Sequence, residues 1–127
     1  MTQQDTGIVL FAHGSRDPLW RAPIDAVAQA MASACPGCVV RCAFLELTAP
    51  DLPATVQELV DLGLARIRIV PMFLGVGRHA REDLPELVAQ LRAQHPDLQM
   101  DLLPSVGEHP AMTALLAQIA LGTAPQP

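Results

Sequence analysis

The sequence predicts a single α/β domain in which four strand–helix units build a four-stranded parallel sheet flanked by helices. Three observations point there. Short apolar runs of strand length alternate with stretches whose apolar residues recur at three- and four-residue spacing. Gly and Pro fall mostly between those segments. The chain has 127 residues, 50% hydrophobic and 17% charged, enough for one core and too few for two. The repeated β-then-α order requires right-handed crossovers between parallel strands.

Residues 7–12, Gly-Ile-Val-Leu-Phe-Ala, form an apolar run without alternation, as a strand covered on both faces does. Ile24, Val27, Ala28 and Met31 lie at i, i+3, i+4 and i+7 and predict the first helix, which Pro36-Gly37 ends. Residues 38–47 are β-rich and give the second strand. Leu52, Val56, Leu59 and Val60 make the second helical stripe, stopped at Gly63. Residues 67–72 give the third strand, and Leu84, Leu87, Val88 and Leu91 the third helix. Residues 98–103 give the fourth strand, and Met112, Leu115, Leu116 and Ile119 the closing helix. Asp51-Leu52-Pro53 and Asp83-Leu84-Pro85 open two helices alike, an acidic cap followed by Pro in the first turn, a pattern an internal duplication leaves. The expected organisation is one domain over residues 1–122 and a flexible tail over residues 123–127.

Composition removes several classes of function. The apolar fraction and a mean hydropathy of +0.29 exclude intrinsic disorder. No apolar run reaches the ~18 residues of a membrane helix. Met1-Thr2-Gln3-Gln4-Asp5 lacks the basic start of a signal peptide, so a cytoplasmic location is expected. The net charge is -5, and the basic residues are all arginine. That argues against general nucleic-acid binding, and the 3% aromatic content, with no tyrosine, against single-strand stacking platforms.

Open parallel sheets bind ligands beyond the carboxyl ends of their strands. After the first strand comes His13-Gly14-Ser15-Arg16-Asp17. Glu46 lies at the end of the second. Gly75-Val76-Gly77-Arg78-His79 follows the third, and Ser105-Val106-Gly107-Glu108-His109 the fourth. His13 and His79 are the leading pair, each beside or near glycine, with Glu46 between them in sequence. Two neutral imidazoles and a carboxylate suit cobalt, iron, nickel or zinc. For either histidine alone, a hydrogen-bonded loop residue is the competing reading. His95 ends the third helix, where a cation suits the dipole. His109, before a Pro, reads as capping chemistry. Arg16, Arg21, Arg78 and Arg81 bias the same rim toward a polyanionic ligand, although Arg21 and Arg81 read as solvated charges paired with nearby acids. Met72, Phe73, Leu74 and Val76 carry the apolar run past the third strand and suggest a ligand wall or a subunit contact. Cys35-Pro36-Gly37-Cys38 follows a helix instead of preceding one, which argues against a thioredoxin-like motif. It has no second pair to close a zinc site. With Cys42, these cysteines read as buried or incidental thiols.

Three of these segments resemble one known family, the small CbiX/SirB-type class II chelatases. Residues 11–18, Phe-Ala-His-Gly-Ser-Arg-Asp-Pro, resemble its opening block, and residues 43–47, Ala-Phe-Leu-Glu-Leu, its second-strand block. Residues 70–74, Val-Pro-Met-Phe-Leu, with Gly77-Arg78-His79 and Asp83-Leu84-Pro85, resemble its third. The resemblance runs from about Gly7 to Ile119. It implies a chelatase-like fold and insertion of a divalent metal into sirohydrochlorin, a tetrapyrrole. Cobalt insertion would serve cobalamin synthesis; iron, giving sirohaem, and nickel are the alternatives. It implies His13 and His79 as metal-binding and catalytic residues, Glu46 as a third metal-site residue, no organic cofactor, and pairing of short chains as homodimers.

On that implied reaction, His13 and His79 would hold the metal and one would take a pyrrole proton. Gly14, Ser15, Arg16 and Arg78 would hold the substrate's carboxylates, with backbone N–H groups at Gly14-Ser15 as one cradle. Two other readings stand beside it. A metal or tetrapyrrole carrier, or a regulatory module, would keep the same ligands. A histidine phosphatase would also place His-Gly after a first strand, but it needs an arginine where this chain has Ala12.

Overall fold

The computed structural model describes residues 6–126. The expectations drawn from residues 1–5 and the last residue of the tail lie outside that range. The chain forms one α/β domain. Its elements run β1 (Thr6–Ala12), α1 (Ala22–Ala34), β2 (Val39–Phe44), α2 (Leu52–Asp61), β3 (Arg66–Pro71), α3 (Arg78–Gln94), β4 (Gln99–Leu102) and α4 (Pro110–Leu121), with 3-10 turns at Pro18–Arg21 and Val106–Glu108.

The four strands are parallel and ordered β2-β1-β3-β4. β1 is central, paired with β2 from Gly7↔Val39 to Ala12↔Phe44 and with β3 from Thr6↔Arg66 to Phe11↔Pro71. Every residue of β1 is buried, which explains its unbroken apolar run. The connection leaving β1 runs outward to β2 and the one leaving β3 runs outward to β4 on the other side, so the crevice opens at the carboxyl ends of β1 and β3.

Val9, Phe11, Ala43, Ile67, Ile69 and Met100 point to one face and join Leu52, Val56 and Leu59 of α2 with Leu84, Val88 and Leu91 of α3 in a single core. On the other face, Trp20 packs edge-on to Phe44, 6.0 Å between centroids, and the Arg21 guanidinium sits 4.9 Å above the same ring.

Four expectations need correction. α3 begins at Arg78 behind Gly77, with the Arg81 N–H donating to the Gly77 carbonyl at 3.0 Å. Pro85 is therefore inside the helix. Asp51 does cap α2, accepting from the Ala54 N–H at 2.9 Å, but Asp83 caps nothing. The five residues before Asp-Leu-Pro are already helical, and the N–H missing from Pro85 leaves only the exposed Arg81 position short of a bond. β2 ends at Phe44, so Glu46 lies in a loop. The stripes of α1 and α4 hold no buried residue, since periodicity marks an apolar face without supplying its cover. Cys35 and Cys38 form a disulfide, with Cα atoms 5.5 Å apart across the α1–β2 turn. Cys42 is the free cysteine among the described residues, and all three are partly exposed. Three-residue spacing across a tight turn brought together what sequence treats as separate thiols.

Candidate functional site

The carboxyl-end crevice is a cleft of about 450 Å³. Phe11, Leu45, Phe73, Val76, Leu84 and Leu87 wall it, and His13, Arg78, His79 and Asp83 supply its polar groups. Of the apolar continuation past β3, Phe73 and Val76 line this cleft, and Phe73 is itself buried.

His13 directly follows β1. Its ring leans on Phe73, centroids 4.8 Å apart, and Phe73 is braced edge-on by Phe11 at 6.4 Å. His13 Nδ1 lies 3.1 Å from one Glu46 carboxylate oxygen and 3.4 Å from the other. Toward an ionised carboxylate a neutral imidazole donates through Nδ1–H, the tautomer that leaves the Nε2 lone pair open to a metal or a proton. The pair is 55% and 43% exposed, so it orients the ring more than it stabilises the fold. His79 occupies the first turn of α3, exposed, and lines the same cleft. Among the described residues, no three His, Cys, Asp or Glu side chains form a metal-holding group. The expected three-residue metal site of His13, Glu46 and His79 is therefore not gathered: Glu46 contacts His13 and does not join both histidines in one ligand group.

Two close backbone approaches shape the cleft. At Gly14 a Cβ would stand 1.6 Å from the Glu46 carbonyl oxygen, and at Gly107 another would stand 1.8 Å from the Leu74 carbonyl oxygen. Only glycine permits either approach. The Gly107 N–H also donates to the Phe73 carbonyl at 2.9 Å, tying the β4–α4 connection to the β3–α3 loop.

The remaining rim residues divide. Arg78 reaches the cleft, 81% exposed, with Nε donating to Glu82 at 3.3 Å. Arg16 is exposed and outside the cleft lining. The expected carboxylate cradle at Ser15 is closed: its N–H donates to Thr48 Oγ1 at 3.0 Å, and its hydroxyl accepts from the Asp17 N–H at 3.0 Å. The Ser15 N–H is taken by the neighbouring loop and the Asp17 N–H by the Ser15 hydroxyl. Arg21 pairs with Asp25 of α1, not with the rim acids Asp17, Glu82 or Asp83. His109 caps α4, its Nδ1 accepting from the Ala111 N–H at 3.0 Å, and His95 caps the end of α3. Thr48 and Gly107 belong to the site's framework but gave no sequence signal, because each acts on a loop distant in the chain.

Residues 7–121 match the CbiX family. The chain belongs to the CbiX family. Among its CbiX relatives, the sirohydrochlorin cobaltochelatase of Methanococcoides burtonii is 33% identical over 82 residues, covering 65% of this chain and 63% of that protein. The Priestia megaterium sirohydrochlorin cobaltochelatase is 26% identical over 92% of this chain but only 38% of its own length. The chain thus spans under two thirds of these curated relatives. A Marinobacter aquaeolei VT8 crystal structure, described as a cobalamin-biosynthesis CbiX protein, superimposes with a TM-score of 0.80 at 27% identity, covering 92% of this chain and 95% of that one. Bacillus subtilis SirB, a sirohydrochlorin chelatase solved with cobalt, shares the fold at a TM-score of 0.74 and 23% identity over half its length. Among the described residues no helix is long and apolar enough to cross a membrane.

Proposed function

We propose that this chain is a chelatase that inserts a divalent metal, Co2+ first, into sirohydrochlorin, acting as a cytoplasmic homodimer without an organic cofactor. The observation that carries the reading is the pairing of His13, its Nδ1–H engaged by Glu46, with His79 in one apolar-walled cleft of a CbiX-family chain.

Insertion replaces two pyrrole N–H protons by one M2+. The ion must shed water, two protons must leave, and the ring must present its nitrogens to the metal. Two imidazole ligands leave coordination positions open for those nitrogens, as a transfer site requires and a closed four-ligand cage forbids. His13 Nε2 and His79 hold the incoming ion; as the ring nitrogens displace them, the imidazole released first accepts one pyrrole proton and the other proton passes to water. Glu46 acts through His13: its charge stabilises the protonated imidazole and fixes the ring's orientation. Phe73, Leu45, Val76, Leu84 and Leu87 receive a flat apolar ring face, while Arg78 at the mouth, with Arg16 and Gly14 farther along the rim, meets its peripheral carboxylates. Cobalt is preferred to iron or nickel on the names of the relatives. The intrinsic affinity order would favour nickel over cobalt at such a site, so metal supply and the ring set the selection.

The homodimer reading draws support from α4. It carries no charged residue and buries none of its side chains, with Leu116 40% and Ile119 58% exposed. A helix whose only polar side chains are Thr113 and Gln118 calls for a partner surface.

Protein, sirohydrochlorin and Co2+ are mixed, and the tetrapyrrole spectrum is followed against the uncatalysed rate. Many turnovers are expected from the wild type. Loss of turnover with sharply weakened Co2+ binding is expected from His79→Ala. An active His79→Ala variant contradicts the assignment. Stoichiometric binding without turnover replaces the chelatase by a carrier, and phosphate release from a model ester replaces it by a phosphatase.

A further inference from the structure

Residues 46–48 form an unusual turn. The Thr48 N–H donates to the Glu46 carbonyl at 2.7 Å, closing a three-residue loop. Its central residue, Leu47, has φ of 64° and is not glycine. A γ-turn with a left-handed central residue is rare and strained, and such strain persists only where the surroundings over-determine it. Leu47 is 62% exposed, so burial of its side chain is not what holds it.

The restraint comes from the neighbouring loop after β1. Thr48 Oγ1 accepts the Ser15 N–H at 3.0 Å and donates its own hydrogen to the Ser15 carbonyl at 2.9 Å. One hydroxyl thereby satisfies both backbone groups of a residue 33 positions away, in a partly buried spot. Beside it, the Gly14 backbone lies against the Glu46 carbonyl, and the Leu45 N–H donates to the Ala12 carbonyl at 2.8 Å. The loop carrying His13 and the loop carrying Glu46 are therefore fastened at two levels. The backbone bond at Leu45 lies before the reactive pair and the Thr48 clip lies after it. The segment between the fasteners is the one that must hold a carboxylate 3.1 Å from an imidazole nitrogen while both are half exposed.

We infer that Thr48 is a positioning residue: its hydroxyl clips the His13 loop to the strained Leu47 turn and so holds Glu46 on His13. The inference rests on the chelatase reading above. Glu46 and His13 have flexible side chains open to water, and an exposed ion pair by itself does not fix a geometry. The clip does so by fixing both backbones. Without the hydroxyl, the Ser15 N–H and carbonyl turn to water, Leu47 relaxes to negative φ, and the Glu46 carboxylate leaves the ring. Small displacements of this kind cost large factors in rate.

The test compares Thr48→Val, which keeps the shape and removes the hydroxyl, with Thr48→Ser, which keeps the hydroxyl. Thr55→Val is the control, because Thr55 also donates its hydroxyl to a backbone carbonyl, that of Asp51, but takes no part in the bonds of the clip. Three quantities are read on the full chain: the kcat and KM split for sirohydrochlorin, Co2+ affinity from the visible absorption of bound Co2+, and hydrogen exchange of the Ser15 amide. Thr48→Val is expected to lose about tenfold in kcat with KM within about twofold, to bind Co2+ several-fold more weakly, and to exchange Ser15 faster. Thr48→Ser should restore all three, and Thr55→Val should lower thermal stability while leaving kcat in place. Should Thr48→Val not fold, Thr48→Ala is read the same way. A Thr48→Val variant with wild-type kcat and Co2+ affinity overturns the inference, as does equal loss in Thr55→Val. A wild type that binds Co2+ without turnover defeats the chelatase reading alone, and the clip is then judged on affinity. A wild type that does neither overturns both.

Discussion

Replacing Gly14 with alanine should disable the site more severely than its burial suggests. The added Cβ would lie 1.6 Å from the Glu46 carbonyl oxygen, 2.8 Å from its carbon and 2.9 Å from the Thr48 nitrogen. All three are backbone atoms, so no side-chain rotation relieves the clash. Reaching the 3.0 Å that real Cβ atoms respect means parting the two loops by about 1.4 Å. That movement breaks the two Ser15–Thr48 hydrogen bonds, each worth about 1 kcal/mol net. Overpacking adds about 1–3 kcal/mol. The expected destabilisation is therefore about 3–5 kcal/mol, a large share of the roughly 5–15 kcal/mol available to a small domain. A ~1 Å error at the reacting groups costs about 10²-fold in rate, so activity should fall further than the folded fraction. Urea unfolding gives the stability change, and insertion assays at a temperature where the variant is folded give the rate. A Gly14→Ala protein within about 0.5 kcal/mol of wild type with full turnover would refute the close-approach argument.

Two more outcomes are expected. Introducing charge on α4 with Leu116→Asp and Ile119→Asp should convert a dimer into a species near the 13.6 kDa chain mass by light scattering. Each side chain removes about 1.5–3 kcal/mol of apolar burial from such an interface, and a dimer that persists would place the contact elsewhere. Cys42 should alkylate slowly at neutral pH, with an inflection above the ordinary thiol range. Burial first and the nearby Asp25 carboxylate second disfavour its thiolate, outweighing Arg21. Since the folded chain holds that proton more tightly than the unfolded one, the group's contribution to stability is complete below the ordinary thiol pKa and is lost as pH rises through the higher folded value. Alkylation rates and urea midpoints across alkaline pH measure both effects.

Much of the site was legible before any coordinates. β1 reads as buried on both faces because its six apolar residues in a row allow no wet side. The strand-to-helix boundaries place His13 and His79 on one sheet edge, since both follow strands running the same way. Phe73 and Val76 could be read as a wall because the apolar run continues past the strand end, although both also pack into the core. His109 and His95 were separable from them by position alone. Other features were not legible. The start of α3 was misjudged because Asp83-Leu84-Pro85 carries the chemistry of a helix opening, whereas the true start behind Gly77 has no side-chain cap. The carboxylate cradle at Ser15 was not legible as closed because its N–H is taken by Thr48, a residue from another loop.

Local order and sheet edge follow from the sequence because hydrophobic period and turn chemistry act over a few residues. The tertiary structure alone decided that Glu46 faces His13, that Ser15 and Thr48 are fastened, that Cys35 joins Cys38 and that α4 stays uncovered. Those outcomes depend on distances between loops set by strand order and register. A one-dimensional pattern records how often a side chain turns toward the core, and it holds no information on which distant backbone it will meet there.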